Sequence, residues 1–215
     1  MNPRILVIVG TPIEDSLNHS LAAAYVDSAR GGGADVRVID LAHDPSPAHA
    51  THRGELRLPR TDADTPLDPA VAAYIDDIRW ADHLVFFHPQ WWGTYPAALK
   101  AFIDRVFLPD FAYGQRPKTA ISEKLLAGRT ARIVMTMDSP RLWNRLAYRN
   151  AAETSLKQAV LAYCGVKTIG ITRFTPVRFS EAEQRTSWIA DTAKLGRRDA
   201  AASVTRSREA VATAA

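Results

Sequence analysis

The stretch Ile5-Leu6-Val7-Ile8-Val9, unbroken by any polar residue and closed by Gly10 and Pro12, most constrains how this chain folds. A strand apolar on both faces needs cover on both sides, and the middle of a parallel sheet supplies it. Helical spacing follows at once. Leu17, Leu21, Ala24, Tyr25 and Ser28 recur until Gly31-Gly32-Gly33, with Asp15 or Ser16 as the N-cap. Val36 to Ile39 then reads as a second strand, so the first forty residues make a βαβ unit of the usual right-handed crossover.

The alternation resumes after a long excursion. From His43 to Pro69 there is no periodicity but five prolines (Pro45, Pro47, Pro59, Pro66 and Pro69), which marks an insertion that covers a site or a subunit contact. Asp68-Pro69 is an N-cap followed by proline at the first helical position. Val71, Tyr74, Ile75 and Ile78 give that helix its buried face, and Leu84 to Phe87 is the third strand. Pro96 opens a helix with Leu99, Phe102, Ile103, Val106 and Phe107 on one stripe; Arg132 to Thr136 is the fourth strand. A helix through Leu156, Ala159, Val160 and Tyr163, closed by Gly165, precedes a fifth strand from Val166 to Phe174. Ser180 and Glu183 form a capping box for a last helix that ends near Gly196. One domain over residues 1–196 is expected, with 197–215 as a flexible tail. Five strands alternating with helices predict an α/β fold with a doubly wound parallel sheet, and the order 2-1-3-4-5 suits five strands.

Composition excludes several classes of function. A net charge of +4 is too small to argue for nucleic acid, though it suits capture of anionic cofactors. Arg197, Arg198, Arg206 and Arg208 read as a solvated tail. The single cysteine, Cys164, precludes an intrachain disulfide and reads as a small buried hydrophobe in a reducing compartment. No apolar run approaches the roughly 18 residues a membrane span needs, so a cytoplasmic protein without membrane insertion is expected. The six histidines have no metal-type spacing, and no metal site is expected.

In an open α/β sheet, ligands bind outside the carboxyl ends of the strands, near the reversal of strand order. Three loops lie there. Gly10 to Asn18 runs into a helix N-terminus, where free amides together with Ser16 and Asn18 make an anion site; equally, Ser16 could only cap the helix. The loop has neither GxGxxG nor a Walker A pattern, and Glu14 and Asp15 sit awkwardly beside a phosphate unless they point away. His88 to Pro96 carries Trp91, Trp92 and Tyr95 directly after a buried strand. Flat aromatic faces beside main-chain amides suit a flavin or nicotinamide ring, whereas the plainer reading packs the tryptophans between helices or across a dimer contact. Thr136 and Ser139 in the third loop offer hydroxyls, and Asp138 could be a turn former before Pro140.

The segment Pro89-Gln90-Trp91-Trp92-Gly93-Thr94-Tyr95-Pro96-Ala97-Ala98-Leu99-Lys100, continuing through Asp104-Arg105-Val106-Phe107 to Phe111-Ala112-Tyr113, resembles the most distinctive stretch of the NAD(P)H:quinone oxidoreductases of the flavodoxin-like superfamily. Ser16-Leu17-Asn18 resembles that family's phosphate-binding element, and Tyr163-Cys164-Gly165-Val166 the junction before its last strand. The resemblance implies a flavodoxin-like three-layer sandwich and a homodimer with flavin at the subunit interface. It also implies hydride transfer from NAD(P)H through flavin N5 to a quinone-like acceptor. Ser16, Leu17 and Asn18 would hold the phosphate; Pro89, Gln90, Trp91, Trp92 and Gly93 would line the isoalloxazine; Thr136, Met137, Asp138 and Ser139 would close over it.

Two departures stand out. Thr11 occupies a position where well-known quinone reductases carry histidine, and Thr136 to Pro140 replaces a glycine-rich segment followed by a tyrosine and a histidine. The latter version looks like that of a bacterial subgroup of NAD(P)H oxidoreductases. No catalytic residue is therefore assigned; Arg145, Tyr148 and Arg149 are only nearby candidates. FMN is expected, with FAD as the alternative. A non-catalytic electron carrier or regulatory subunit, and a relative without cofactor, are the competing classes.

Overall fold

The computed structural model describes residues 2–45, 47, 49–114 and 122–213, with side chains as far as Ala202. In chain order the elements are β1 (Arg4–Val9), α1 (Leu17–Gly31), β2 (Asp35–Asp40), a 3₁₀ turn (Arg53–Leu56), α2 (Pro69–Trp80), β3 (His83–Pro89) and α3 (Ala97–Val106). There follow a two-stranded ribbon of β4 (Tyr113–Gly114) and β5 (Glu123–Lys124), then β6 (Thr130–Thr136), α4 (Arg141–Leu146) and α5 (Ala151–Thr154). A π-wound stretch (Ser155–Ala162), β7 (Lys167–Phe174) and α6 (Ala182–Thr213) complete it.

The main sheet is parallel, in the order β2-β1-β3-β6-β7, which is the expected 2-1-3-4-5. Successive residues of β1 point to opposite faces, so one apolar run feeds two cores. Leu6 and Ile8, with Leu84, Phe86 and Ile133, pack under α2 and α3. Ile5 and Val7, with Val85, Phe87 and Val134, pack under α1 and α6. Each of these fully buried side chains contributes about 2 kcal/mol of apolar burial. Asp68 caps α2 by accepting from the Ala70 and Val71 amides, with Pro69 at the first helical position. No helix among the described residues is long and apolar enough to cross a membrane.

The end of the chain corrects the sequence reading. The last helix does not stop at Gly196 but runs to Thr213, and Asp199 and Ala200 are buried. Gly196 has another role: a Cβ there would lie 2.3 Å from the Tyr25 carbonyl oxygen, so glycine permits α6 to approach α1. Residues 197–202 are thus part of the packed domain rather than a tail. Of the arginines assigned to it, Arg197 donates to Ser28 Oγ at 3.2 Å, and the side chains of Arg206 and Arg208 lie outside the described residues. Ser180 does not form a capping box with Glu183; its hydroxyl donates to the Val177 carbonyl and accepts from Arg185. Cys164 is buried as expected, and burial pushes its thiol up to about 12.

Candidate functional site

Three loops meet at the carboxyl edge of β1, β3 and β6, and hydrogen bonds tie them together. The Gly10 amide donates to the Phe87 carbonyl, and the Gln90 amide to the Thr136 carbonyl. Asn18 Nδ2 donates to Thr136 Oγ1 at 3.0 Å, joining the start of α1 to the end of β6. Asn18 and Thr136 are both buried, and each satisfies the other.

Ser16 is the N-cap of α1, and the amides of Leu17 and Asn18 have no carbonyl four residues back within the helix to receive them. Where a glutamate is usual three residues past the cap, this chain has His19. Its Nδ1 lies 2.8 Å from Ser16 Oγ and accepts the Ser16 amide at 3.3 Å, while Nε2 is 3.1 Å from Asp40 Oδ1. His43 Nδ1 lies 2.9 Å from the other Asp40 oxygen. Burial pushes the Asp40 carboxyl up, but hydrogen bonds from His43, the Ala42 amide and His19 outweigh it and hold the group below the usual carboxylate range. His19, Asp40 and His43 bring ligand-type atoms within 4.8 Å of one another, a grouping that spacing along the sequence did not reveal. Each imidazole is already hydrogen-bonded to the carboxylate. Glu14 and Asp15 are exposed, and their charges act on His43.

The second loop carries the aromatic surface. Trp91 is partly exposed and Trp92 entirely so, with Trp92 at φ 49° and Gly93 at φ 75°. A Cβ on Gly93 would meet only the Tyr148 ring, at 3.8 Å, which sets Tyr148 beside this loop. Tyr95 turns inward, packing edge-on against His88. His88 is fully buried, and burial lowers it to about 4, so it is a neutral imidazole donating from Nδ1 to the Pro89 carbonyl.

In the third loop, where Thr136, Met137, Asp138 and Ser139 are expected to close over the ring, the side chains have different surroundings. The Thr136 and Met137 side chains are buried, and Asp138 Oδ1 accepts the Arg178 amide. Asp138, Ser139, Pro140, Trp143, Arg178 and Phe179 line a cavity of about 380 Å³. Beneath Gln90 lies a network no motif announced: Gln90 Nε2 donates to Asn144 Oδ1 at 2.7 Å, Asn144 Nδ2 to Glu153 Oε1 at 3.2 Å, and Arg173 Nε to the same oxygen at 2.7 Å. Asn144 and Glu153 are buried, and they come from short helices without apolar periodicity, which left nothing to find in the sequence.

Free helix-end amides, a half-buried serine and exposed tryptophans at a topological switch point fit a phosphorylated planar ring. Sheet order and loop arrangement define a flavodoxin-like protein. The chain belongs to that family: the model described as "Flavodoxin-like fold" matches residues 3–195. It is 30% identical over 189 residues to an FMN-dependent NADH:quinone oxidoreductase of Ruegeria pomeroyi, covering 82% of this chain and 88% of the relative. It is 26% identical over 152 residues to the ribosyldihydronicotinamide dehydrogenase-like protein traD of Penicillium crustosum, covering 62% of this chain and just 57% of that protein. The crystal structure of Smu.1420 from Streptococcus mutans UA159 superposes with a TM-score of 0.72 at 27% identity, covering 91% of this chain and 99% of that one.

Proposed function

We propose that this chain is a flavin-dependent NAD(P)H oxidoreductase that holds FMN at the carboxyl edge of β1, β3 and β6 and reduces a quinone-like acceptor. The observation that carries the reading is the Pro89 to Gly93 loop, which exposes Trp91 and Trp92 at the end of a central strand, on the same sheet edge as the N-terminus of α1. The similarity to the Ruegeria pomeroyi enzyme, whose name specifies FMN, NADH and quinone, supports it.

Ser16 and the amides of Leu17 and Asn18 would hold the phosphate, aided by the positive end of α1. Trp91 and Trp92 would stack on the ring and exclude water from one face, and main-chain amides of the Gln90 to Gly93 turn would meet its polar edge. When bound, the flavin supplies the redox chemistry, taking a hydride from NAD(P)H and delivering it to the acceptor. Asn18 and Thr136, hydrogen-bonded to each other, keep the two walls in register. Leu142, Trp143, Leu146 and Phe179 are exposed. Apolar surface of that kind supports a homodimer whose second subunit covers the site.

Reconstitution of the purified protein with FMN, followed by its visible spectrum, tests the reading. Bound flavin bands that bleach on mixing with NADH or NADPH, and return on adding a quinone, are expected. No bound flavin would sink the proposal, and flavin that no nicotinamide bleaches would make the chain a carrier.

A further inference from the structure

The network below Gln90 has a direction, and a carboxylate sets it. Glu153 is buried and paired with Arg173, whose Nε donates to Oε1 at 2.7 Å. A charged carboxylate only accepts hydrogen bonds. Asn144 must therefore turn its NH₂ toward Glu153, and Nδ2 indeed lies 3.2 Å from Glu153 Oε1 and 3.2 Å from Asn150 Oδ1. Its carbonyl oxygen then faces the opposite way and accepts from Gln90 Nε2 at 2.7 Å. Reversing every amide would set the Asn144 oxygen against the carboxylate, so that alternative is excluded on charge. The Gln90 amide is locked as a consequence. Its NH₂ is engaged inward, and Oε1 has no hydrogen-bond donor among the described residues.

We propose that Asn144, Glu153 and Arg173 are positioning residues that hold Gln90 as an obligate hydrogen-bond acceptor toward the bound ring, so that the site selects a ligand presenting an N–H there. This rests on the reading of the Pro89 to Gly93 loop as the ring site. Oxidised isoalloxazine has one such donor, the imide N–H of its pyrimidine edge, and that group is the one Gln90 Oε1 recognises. A glutamine free to rotate could offer either end of its amide and would not discriminate. The buried carboxylate, several bonds from the ligand, converts an ambivalent side chain into a selective one. A site built to meet an N–H discriminates against the analogue that lacks it, because the oriented acceptor is left unpaired and desolvated.

The test compares the affinity of the apoprotein for FMN and for its N3-methyl analogue, read by quenching of flavin fluorescence. Native protein should prefer FMN by tenfold or more. Gln90→Leu should bring the ratio close to one. Glu153→Gln, nearly isosteric but free to donate or accept, should lower the ratio while leaving the affinity for the methylated flavin unchanged, an effect that mere loosening of the loop would not produce. If the methyl group is rejected on bulk alone, all three proteins will show the same ratio, and the proposal is overturned. A native ratio near one overturns it as well. Failure of the native protein to bind either flavin would remove the cofactor reading itself, and this inference with it.

Discussion

Arg132 and Asp199 form a bidentate pair inside the domain, with Nε 2.6 Å and Nη2 2.7 Å from the two carboxylate oxygens. Arg132 lies on β6 and Asp199 on α6, and both are buried. The same carboxylate accepts the Tyr25 hydroxyl at 2.8 Å, and His83 Nε2 stands 3.3 Å away. Four elements, α1, β3, β6 and α6, therefore share one negative charge. Burial pushes the Asp199 carboxyl up, but the Arg132 and His83 hydrogen bonds and charges prevail and hold it far below the usual carboxylate range.

Asp199→Asn should be strongly destabilising, since it leaves the Arg132 guanidinium buried without a counter-charge, at a cost of about 3–5 kcal/mol. Urea denaturation of the variant checks this. Arg132→Met combined with Asp199→Leu should recover much of the loss, because well-packed apolar groups replace the pair.

Trp92→Ala should weaken FMN binding without altering the fold. The side chain is fully exposed and supports no core contact. Loss of one stacking partner is worth about 1 kcal/mol, roughly fivefold in Kd. Flavin titration and a thermal melt of the apoprotein separate the two effects, and a lowered melting temperature would contradict the assignment.

His88 makes acid stability measurable at one position. Burial lowers it to about 4 from an ordinary value near 6.5, so the folded state favours the neutral ring. Its contribution is complete above the unfolded value and is lost as pH falls from about 6.5 toward 4, by about 3 kcal/mol. The difference in unfolding free energy between native protein and His88→Gln, followed from pH 7 to pH 4, should shrink by that order.

Gly196→Ala should destabilise by about 1–3 kcal/mol through overpacking, whereas alanine for glycine in an open helix normally stabilises. The new Cβ would meet the backbone of α1 at Tyr25, which cannot retreat as a side chain can. Gly31→Ala, with nothing within 4 Å of its Cβ, is the control. Chemical denaturation of the two variants checks the contrast.

The sheet was legible because β1, β3 and β6 each carry a run of apolar residues (Ile5 to Val9, Leu84 to Phe87 and Ile133 to Met135), and the helices because their buried stripes are regular and Asp68-Pro69 marks a start. The aromatic loop was legible as exposed surface because its tryptophans follow a buried strand directly, in a segment that has to lie at the carboxyl edge of the sheet. Several parts were not. Asn144, Glu153 and Arg173 lie 9 to 29 positions apart and share no periodicity, so only the fold brings them together. Gly196 was read as a stop because glycine both ends helices and lets them approach, and sequence does not distinguish the two uses. Asn18 and Thr136 are the kind of residues that hold a phosphate or close over a ring, yet they also pair with each other across the sheet edge, and only geometry reveals which.

The arrangement around Asp199 also bears on how the chain comes into being. Arg132 leaves the ribosome 67 residues ahead of its counter-ion, an interval of about 3–13 s at ordinary rates of synthesis. For most of it the face of β1, β3 and β6 that α1 partly covers lacks its second helix, since Trp188, Ile189 and Leu195 have yet to appear. The nascent domain is in that period a half-covered sheet with an unneutralised guanidinium at its heart, a natural client for chaperones. Its completion is a single late event, set by the emergence of α6.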